Sequence, residues 1–475
     1  MKSTKTSQSL SHVALLAPYN GGNLGDAAIL EALIHSVRRI DAQSQITGIT
    51  INPVLTSVLH GIPCYPLAVN PRPHYKPETG PVSAVSAHGP NNSPSTGDSR
   101  DGVFRRSTLG ARSFLLFKPL RAFYRLAKEV RHVLQSYFFL RHVNLLVVAG
   151  GGQLDEEWGG AWGHPYALMK WATLARLAGT HFVVLSVGAC RLNSRLSKQF
   201  INVALSLAAY RSYRDQGSRQ RALEVSRHAE GPVVPDLAFS LPFTDTHAVR
   251  EAQKPLVVGV SPIAFARPGL WPTERVSVYE RYITELSSFL TALLSQEISV
   301  VLFSSSTPDE QTFQEIRDRV SSQIAKENLG RLSFFDAATV YELTAMLRSV
   351  DFVVASRLHG LLLSFLAGKP SIAISYDRKV RSLMEDMDQA VYCLDIYSFT
   401  AEGLMTAFLS LQEDADIIPP KLSTIRHSYD ELLAKQCSLF AGYFSQASGC
   451  VGQVPLPPSP NLPVCGDSSN GRSLP

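Results

Sequence analysis

Short apolar runs alternate with longer amphipathic stretches along this chain, and the alternation stops once and then starts again. Apolar runs of that length suit strands buried on both faces of a parallel sheet, and the amphipathic stretches suit the helices that cover them. The first series reads as strand Val13–Ala17, helix Ala27–Ile40 and strand Gln45–Ile51, followed by strands Val143–Ala149, His181–Val187 and Ala209–Tyr213, with Val233–Phe239 closing it. Residues Thr244–Lys254 are mostly polar and mark a linker. The second series reads as strand Leu256–Ser261, helix Val278–Ser295, strand Ile298–Phe303, strand Leu332–Phe335, helix Val340–Leu347, strand Asp351–Ala355, helix Leu361–Ala367 and strand Ser371–Ser375. The expectation is an α/β protein with one domain over 11–243, a second over 255–415 and a closing helix over 416–447.

Two segments break the pattern. Residues 71–110 are rich in Pro, Ser, Gly and Asn and read as a disordered insertion, and the Pro-rich residues 448–475 read as a disordered tail. The rest has the makings of a sizeable core, with 45% hydrophobic and 18% charged residues. A net charge of +5 over 475 residues gives no reason to expect a nucleic-acid partner. The six cysteines form no CxxC pair and no zinc-like spacing, which suits reduced thiols in a cytoplasmic protein. The apolar run Val13–Ala17 is too short for a signal-peptide core, and no later run is long enough to span a bilayer.

In doubly wound sheets, ligands sit in the loops beyond the carboxyl ends of the strands. The first such loop, Asn20-Gly21-Gly22-Asn23-Leu24-Gly25-Asp26, brings bare backbone and a helix N-terminus toward an anion. It misses the first glycine of the dinucleotide fingerprint, and the second strand ends without an acid to hold a ribose, so a nicotinamide cofactor is disfavoured. Asp26 reads either as the helix N-cap or as a carboxylate facing an acceptor. The turn Gly150-Gly151-Gly152 follows the Val143–Ala149 strand, and the acids Asp155, Glu156 and Glu157 beyond it read as solvated. Arg214 precedes a helix start and reads as an anion grip or as part of an ordinary cap.

The sharpest constellation is Arg357-Leu358-His359-Gly360, in the turn between a strand and an apolar helix. An arginine there can grip phosphate or carboxylate through paired N–H groups, and a histidine can donate a proton near neutral pH. Lys379 follows the next strand and reads as a further ligand or as a surface ion-pair residue. Residues 117–142 are strongly basic, with Arg121, Arg125, Lys128 and His132 spaced to share one helical face. Two readings stand, an ordinary outer helix and a helix making peripheral contact with an anionic membrane.

Taken in order, these loops resemble the polysaccharide pyruvyl transferase family. The resemblance is carried by Asn23-Leu24-Gly25-Asp26, the glycine turn Gly150–Gly152, Ser186-Val187-Gly188, Arg214 to Ser218, Asp236-Leu237-Ala238-Phe239, and Arg357/His359 with Gly368/Pro370 and Tyr376/Lys379 downstream. The chain departs from the pattern at Cys190, where the family usually has a glycine, and in its insertion and tail. The resemblance implies two facing Rossmann-like domains, similar to the GT-B glycosyltransferase arrangement. It also implies phosphoenolpyruvate as donor substrate, with no metal or other cofactor, and a sugar or lipid-linked oligosaccharide as acceptor, joined as a cyclic ketal with release of phosphate. On that basis His359 and Asp26 are the expected catalytic residues, and Arg357, Arg214, Asn23, Gly25, Gly151, Gly152 and Lys379 the expected substrate ligands. The alternatives are a GT-B-type glycosyltransferase with a nucleotide-sugar donor and an inactive glycan-binding relative.

Overall fold

The computed structural model describes residues 11–69, 109–157, 159–242, 255–268, 275–306 and 309–445. The linker expected at 244–254 and the tail expected at 448–475 lie outside them, as does most of the 71–110 insertion. Its last two residues are helical, because a helix begins at Leu109.

Two six-stranded parallel sheets form the two lobes. In the first, β1 (His12–Leu16), β2 (Gln45–Thr50), β3 (Cys64–Pro66), β4 (Leu145–Ala149), β5 (His181–Val187) and β6 (Tyr210–Tyr213) lie in the order β3-β2-β1-β4-β5-β6. In the second, β7 (Val257–Ser261), β8 (Ser299–Phe303), β9 (Leu332–Phe335), β10 (Phe352–Ala355), β11 (Ser371–Ser375) and β12 (Cys393–Asp395) lie in the order β12-β11-β10-β7-β8-β9. Counted within each lobe, both orders are the same doubly wound arrangement, as the sequence pattern predicts. The edge strands β3 and β12 are additions to that reading. At three residues each they are too short to show an alternating pattern.

Each strand divides its side chains between two layers. Val13 and Leu15 join the core that contains the helix Leu24–Ile40, while Ala14 and Leu16 join a second core with Leu140 and the fully buried Trp171. The first of these cores is continuous across the lobes: it takes in Ala28, Leu237 and Phe239 from one and Leu358, Leu361 and Leu383 from the other. The lobes are also stitched by main chain, the Leu24 N–H donating to the Ser305 carbonyl at 2.9 Å beside an antiparallel bridge between Asn23 and Ser306. The last helix, Ile418–Ser445, returns to the first lobe, where Gln436 accepts from the Ser212 hydroxyl and donates to the Ser186 hydroxyl.

The helix Leu109–Leu140 corrects one expectation. His132 does not share a solvent face with Arg125 and Lys128; it is buried, with Nε2 3.0 Å from the Pro66 carbonyl. The outward residues are apolar as well as basic: Phe123, Leu126, Val130, Leu134 and Phe138 are exposed, as are Arg125 and Arg131. No helix among the described residues is long and apolar enough to cross a membrane.

Candidate active site between the lobes

Both sheets turn their carboxyl edges toward the junction of the lobes, so the loops after β1, β4, β5, β6, β10 and β11 converge there. Asn23 caps the helix Leu24–Ile40: its Oδ1 accepts the Gly25 N–H at 2.9 Å. That disposes of Asp26 as the N-cap. Asp26 sits in the first turn instead, held by the Asn23 amide, whose Nδ2 donates to Oδ2 at 2.9 Å. Burial, then the charge of Asp236, push the Asp26 carboxyl up to about 6, against the pull of the Asn23 amide, Arg214 and Lys379.

Gly25 passes directly under the His359 ring, at a point where any side chain would collide with it. His359 comes from the first turn of the helix Leu358–Leu366, after β10. Its Nε2 is buried, has no hydrogen-bond partner among the described residues, and lies 4.0 Å from Oδ2 of Asp236. Burial holds the imidazole down at about 4; Asp236 pulls the other way, while Arg214, Lys379 and Arg357 add to the depression. The ring is therefore neutral at pH 7 in the unliganded site.

Asp236 was not among the expected site residues. One of its oxygens caps a short turn, accepting the Ala238 N–H at 3.1 Å, and this frees Oδ2 to face both His359 and Arg214 Nη1, the latter at 3.7 Å. Arg214 itself lies over Gly188, where a β-carbon would stand 2.7 Å from the centre of the guanidinium. The cap of the following helix falls to Asp215, which accepts the Ser218 N–H, while the Ser218 hydroxyl accepts the Ala189 N–H and so fixes the loop after β5. The cleft beside these groups, about 380 Å³ and open to solvent, is lined by Arg214, Asp236, Leu358, Lys379, Leu383 and Tyr429.

Arg357, an expected anion clamp, is fastened to a buried partner. Its Nε and Nη2 each donate at 2.8 Å to the fully buried Asp309, whose Oδ1 also accepts the Ala264 N–H. Two of its N–H groups are thus spent on fastening the β10 loop to the loop after β8. Nothing in the sequence signals this pair, whose members are 48 residues apart. Lys379 is half-buried, with Nζ 5.3 Å from the centre of the Tyr376 ring, and no ion pair holds it at the surface among the described residues. Burial lowers its proton affinity, but Tyr376 and Asp377 outweigh that and keep it charged.

The glycine turn after β4 needs its glycines, since Gly150 and Gly151 have φ of +31° and +66°. It also corrects the reading of the acids beyond it. Asp155 is buried, at 5% exposure; Glu156 accepts the Asn193 and Ser194 N–H groups and the Ser197 hydroxyl at the start of the helix Arg195–Leu207; Glu157 alone of the three is solvated. No group of three or more His, Cys, Asp or Glu among the described residues is arranged to hold a metal ion.

A family model described as polysaccharide pyruvyl transferase matches residues 23–378, from Asn23 in the first loop to the residue before Lys379. No curated protein matches. Among solved structures, a glycosyltransferase from Rickettsia africae is similar at TM-score 0.51 and 9% identity, covering 92% of this chain and 100% of that one. The glycotransferase of kitacinnamycin gives 0.50 and 11%, covering 91% and 99%. MnaA of S. aureus, solved with UDP, gives 0.50 and 9%, covering 94% and 100%. At such identities the likeness is one of fold: two facing doubly wound lobes of the GT-B kind.

Proposed function

The chain belongs to the polysaccharide pyruvyl transferase family, and we propose that the site between its lobes moves the pyruvyl group of phosphoenolpyruvate onto two hydroxyls of a sugar, closing a cyclic ketal and releasing phosphate. The observation that carries this reading is the meeting of cations, a buried imidazole and a carboxylate of raised proton affinity at one junction: Arg214 and Lys379, His359, and Asp26. Phosphoenolpyruvate presents a carboxylate, a phosphate and an electron-rich methylene. Arg214 and Lys379 bind the two anionic groups, with the outer N–H groups of Arg357 beside them.

A bound trianion offsets the cations that add to the effect of burial on His359, so donor binding raises its proton affinity. Charged in this way, and balanced by Asp236, His359 gives its proton to the methylene carbon. A sugar hydroxyl, oriented by Asp26, then attacks the adjacent carbon. The C–O bond to phosphate breaks, and a second hydroxyl of the same sugar completes the ketal. The acceptor class is a sugar diol within a polysaccharide or its precursor. The exposed apolar and basic residues Phe123, Arg125, Leu126, Val130 and Arg131 support contact with an anionic membrane carrying a lipid-linked acceptor. Co-sedimentation with anionic vesicles tests that contact.

For the reaction, the test is phosphate release from phosphoenolpyruvate in the presence of sugar acceptors, read beside thermal stabilisation. Stabilisation by phosphoenolpyruvate and not by UDP- or GDP-sugars is the expected result. The reverse pattern would favour a nucleotide-sugar glycosyltransferase, and binding without turnover a glycan-binding relative.

A further inference from the structure

We infer that Asp155 is a second carboxylate of the acceptor site, so that Asp26 and Asp155 each receive one of the two hydroxyls that form the ketal. The inference rests on the pyruvyl-transfer reading above and adds to it a residue and a requirement on the acceptor.

The placement comes from one turn. A β-carbon on Gly151 would lie 3.7 Å from Asp26 Oδ1, and one on Gly152 would lie 3.4 Å from Asp155 Oδ2. The two carboxylates thus flank adjacent glycines, of which Gly152 is exposed. Asp155 is fixed in that position: the Gly188 N–H donates to the Gly151 carbonyl at 2.7 Å, the Leu154 N–H donates to the Gly188 carbonyl at 3.1 Å, and Leu154 bridges Ala189.

A local contact with the Glu157 N–H does not satisfy the whole carboxylate. At 5% exposure, its Oδ1 has no hydrogen-bond partner among the described residues. A buried oxygen left in that state is costly, and a ligand that supplies the missing donor accounts for it. Glu157 from its own loop, Asp26 from the first helix, Lys379 from the other lobe and Cys190 from the loop after β5 face it. Burial first, then the charges of Glu157 and Asp26, raise its proton affinity to about 7, with the Glu157 N–H and Lys379 opposing. Asp155 and Asp26 can therefore both take up and release protons near neutral pH.

The chemistry asks for two such groups. Ketal formation breaks one bond from the central carbon to the phosphate oxygen and makes two bonds to sugar oxygens. Two hydroxyl protons leave; one replaces the proton delivered to the methylene, and the other departs with phosphate. A single base would have to discharge its proton between the two attacks. Two carboxylates let the second hydroxyl attack without that delay, and they select an acceptor with paired hydroxyls.

The experiment compares wild type, Asp26→Asn and Asp155→Asn on phosphoenolpyruvate with a panel of methyl hexopyranosides. Phosphate is assayed from pH 5 to 9, and proton NMR separates the ketal methyl signal from the vinyl signal of an open enolpyruvyl ether. Wild type makes ketal with a rate that rises through about pH 7. Asp155→Asn is expected to lose that limb of the profile, to cut ketal formation about a hundredfold or more, and to divert product toward the vinyl species. Asp155→Ser serves as a second replacement should the first fold poorly. Wild-type product and pH profile in Asp155→Asn would overturn the inference alone, and in Asp26→Asn would overturn it together with the role given to Asp26 above. An inactive wild type across the whole panel would overturn the pyruvyl-transfer reading, and the inference with it.

Discussion

The imidazole of His359 rests on Gly25: a β-carbon built there would fall 2.0 Å from Nδ1 of the ring. The two residues come from different lobes, so the absence of one methyl group sets how closely the Asp26 loop approaches the His359 ring. Gly25→Ala must push the ring aside or part the lobes along the Leu24–Ser305 seam. Overpacking of this kind costs about 1–3 kcal/mol. The expected outcome is a lower melting temperature together with at least a tenfold loss of phosphate release. Unchanged turnover would show that the two loops can separate without consequence.

Arg357 and Arg214 should fail in different ways. Arg357→Ala strands Asp309, which is fully buried and receives two N–H groups from that arginine. Removing one partner of a buried pair costs about 3–5 kcal/mol. Urea unfolding should register that loss even without substrate. Arg214→Ala removes longer contacts, 3.7 Å to Asp236 and 3.4 Å to Asp215, and its main effect is expected in the KM for phosphoenolpyruvate, upward by about tenfold or more. If Arg357→Ala melted like wild type while Arg214→Ala unfolded, the roles given to them would be reversed.

The His359 imidazole supplies a pH prediction with a definite sign. Its folded value is about 4 against an ordinary 6.5, so the unfolded chain binds more protons between those values. The stability this gives is present above pH 6.5 and is lost as pH falls toward 4. At ~1.4 kcal/mol per tenfold change in proton affinity, the loss is on the order of 3 kcal/mol. His359→Gln should flatten that part of the stability profile. Imidazole NMR should also show the ring charging at higher pH once phosphoenolpyruvate is bound, and a titration unmoved by donor would sink its role as proton donor.

Much of this arrangement is legible in the chain itself. The strands His181–Val187 and Ser371–Ser375 coincide with apolar runs, because a strand buried on both faces leaves a largely apolar signature, and the edge strand Leu332–Phe335 is legible although Ser333 and Phe334 are exposed. The convergence of Asp26, Arg214, His359 and Lys379 follows from their positions just beyond strand ends. The rest depends on partners far away in sequence. Asp155 sits in an Asp-Glu-Glu run that reads as solvated, and only the bridge between Leu154 and Ala189 turns it inward. His132 lies on a basic helical face, yet the Pro66 carbonyl draws it into the core. Asp236 could have been suspected, since a residue that caps a turn with one oxygen has the other to offer.

Cys190, the position that departs from the family pattern, offers a chemical handle on the cleft. It is exposed, and the charges of Asp155 and Lys379 reach it. Although the residue is exposed, the protein packed around it partly desolvates the thiol and raises it above the ordinary range, so alkylation should be slow at neutral pH and quicken as pH rises. N-ethylmaleimide is expected to inhibit wild type and to spare Cys190→Ser, with phosphoenolpyruvate protecting. Equal inhibition of both proteins would place the sensitive thiol elsewhere.

The last helix gives a prediction about action at a distance from the cleft. Ser186 holds a left-handed φ of +48° at the irregularity between Val184 and Val187, two residues before the Gly188 platform on which Arg214 lies. A β-carbon makes that conformation unfavourable, so neighbouring contacts must hold it. They are present: the Ser186 N–H donates to the Ser212 hydroxyl at 2.8 Å, the Ser186 hydroxyl accepts from Gln436 Nε2 at 3.2 Å, and the Ser212 hydroxyl donates to Gln436 Oε1 at 2.5 Å. Gln436 thereby props the backbone that positions Arg214, although it touches neither donor nor acceptor. Gln436→Leu removes the donor to the Ser186 hydroxyl and the acceptor for the Ser212 and Tyr210 hydroxyls, and should cost about 1–3 kcal/mol. If the prop works through Arg214, the variant should also raise the KM for phosphoenolpyruvate more than it lowers kcat, and Arg214→Ala in the same background should add little further. A stability loss with both kinetic constants intact would reduce Gln436 to a packing residue.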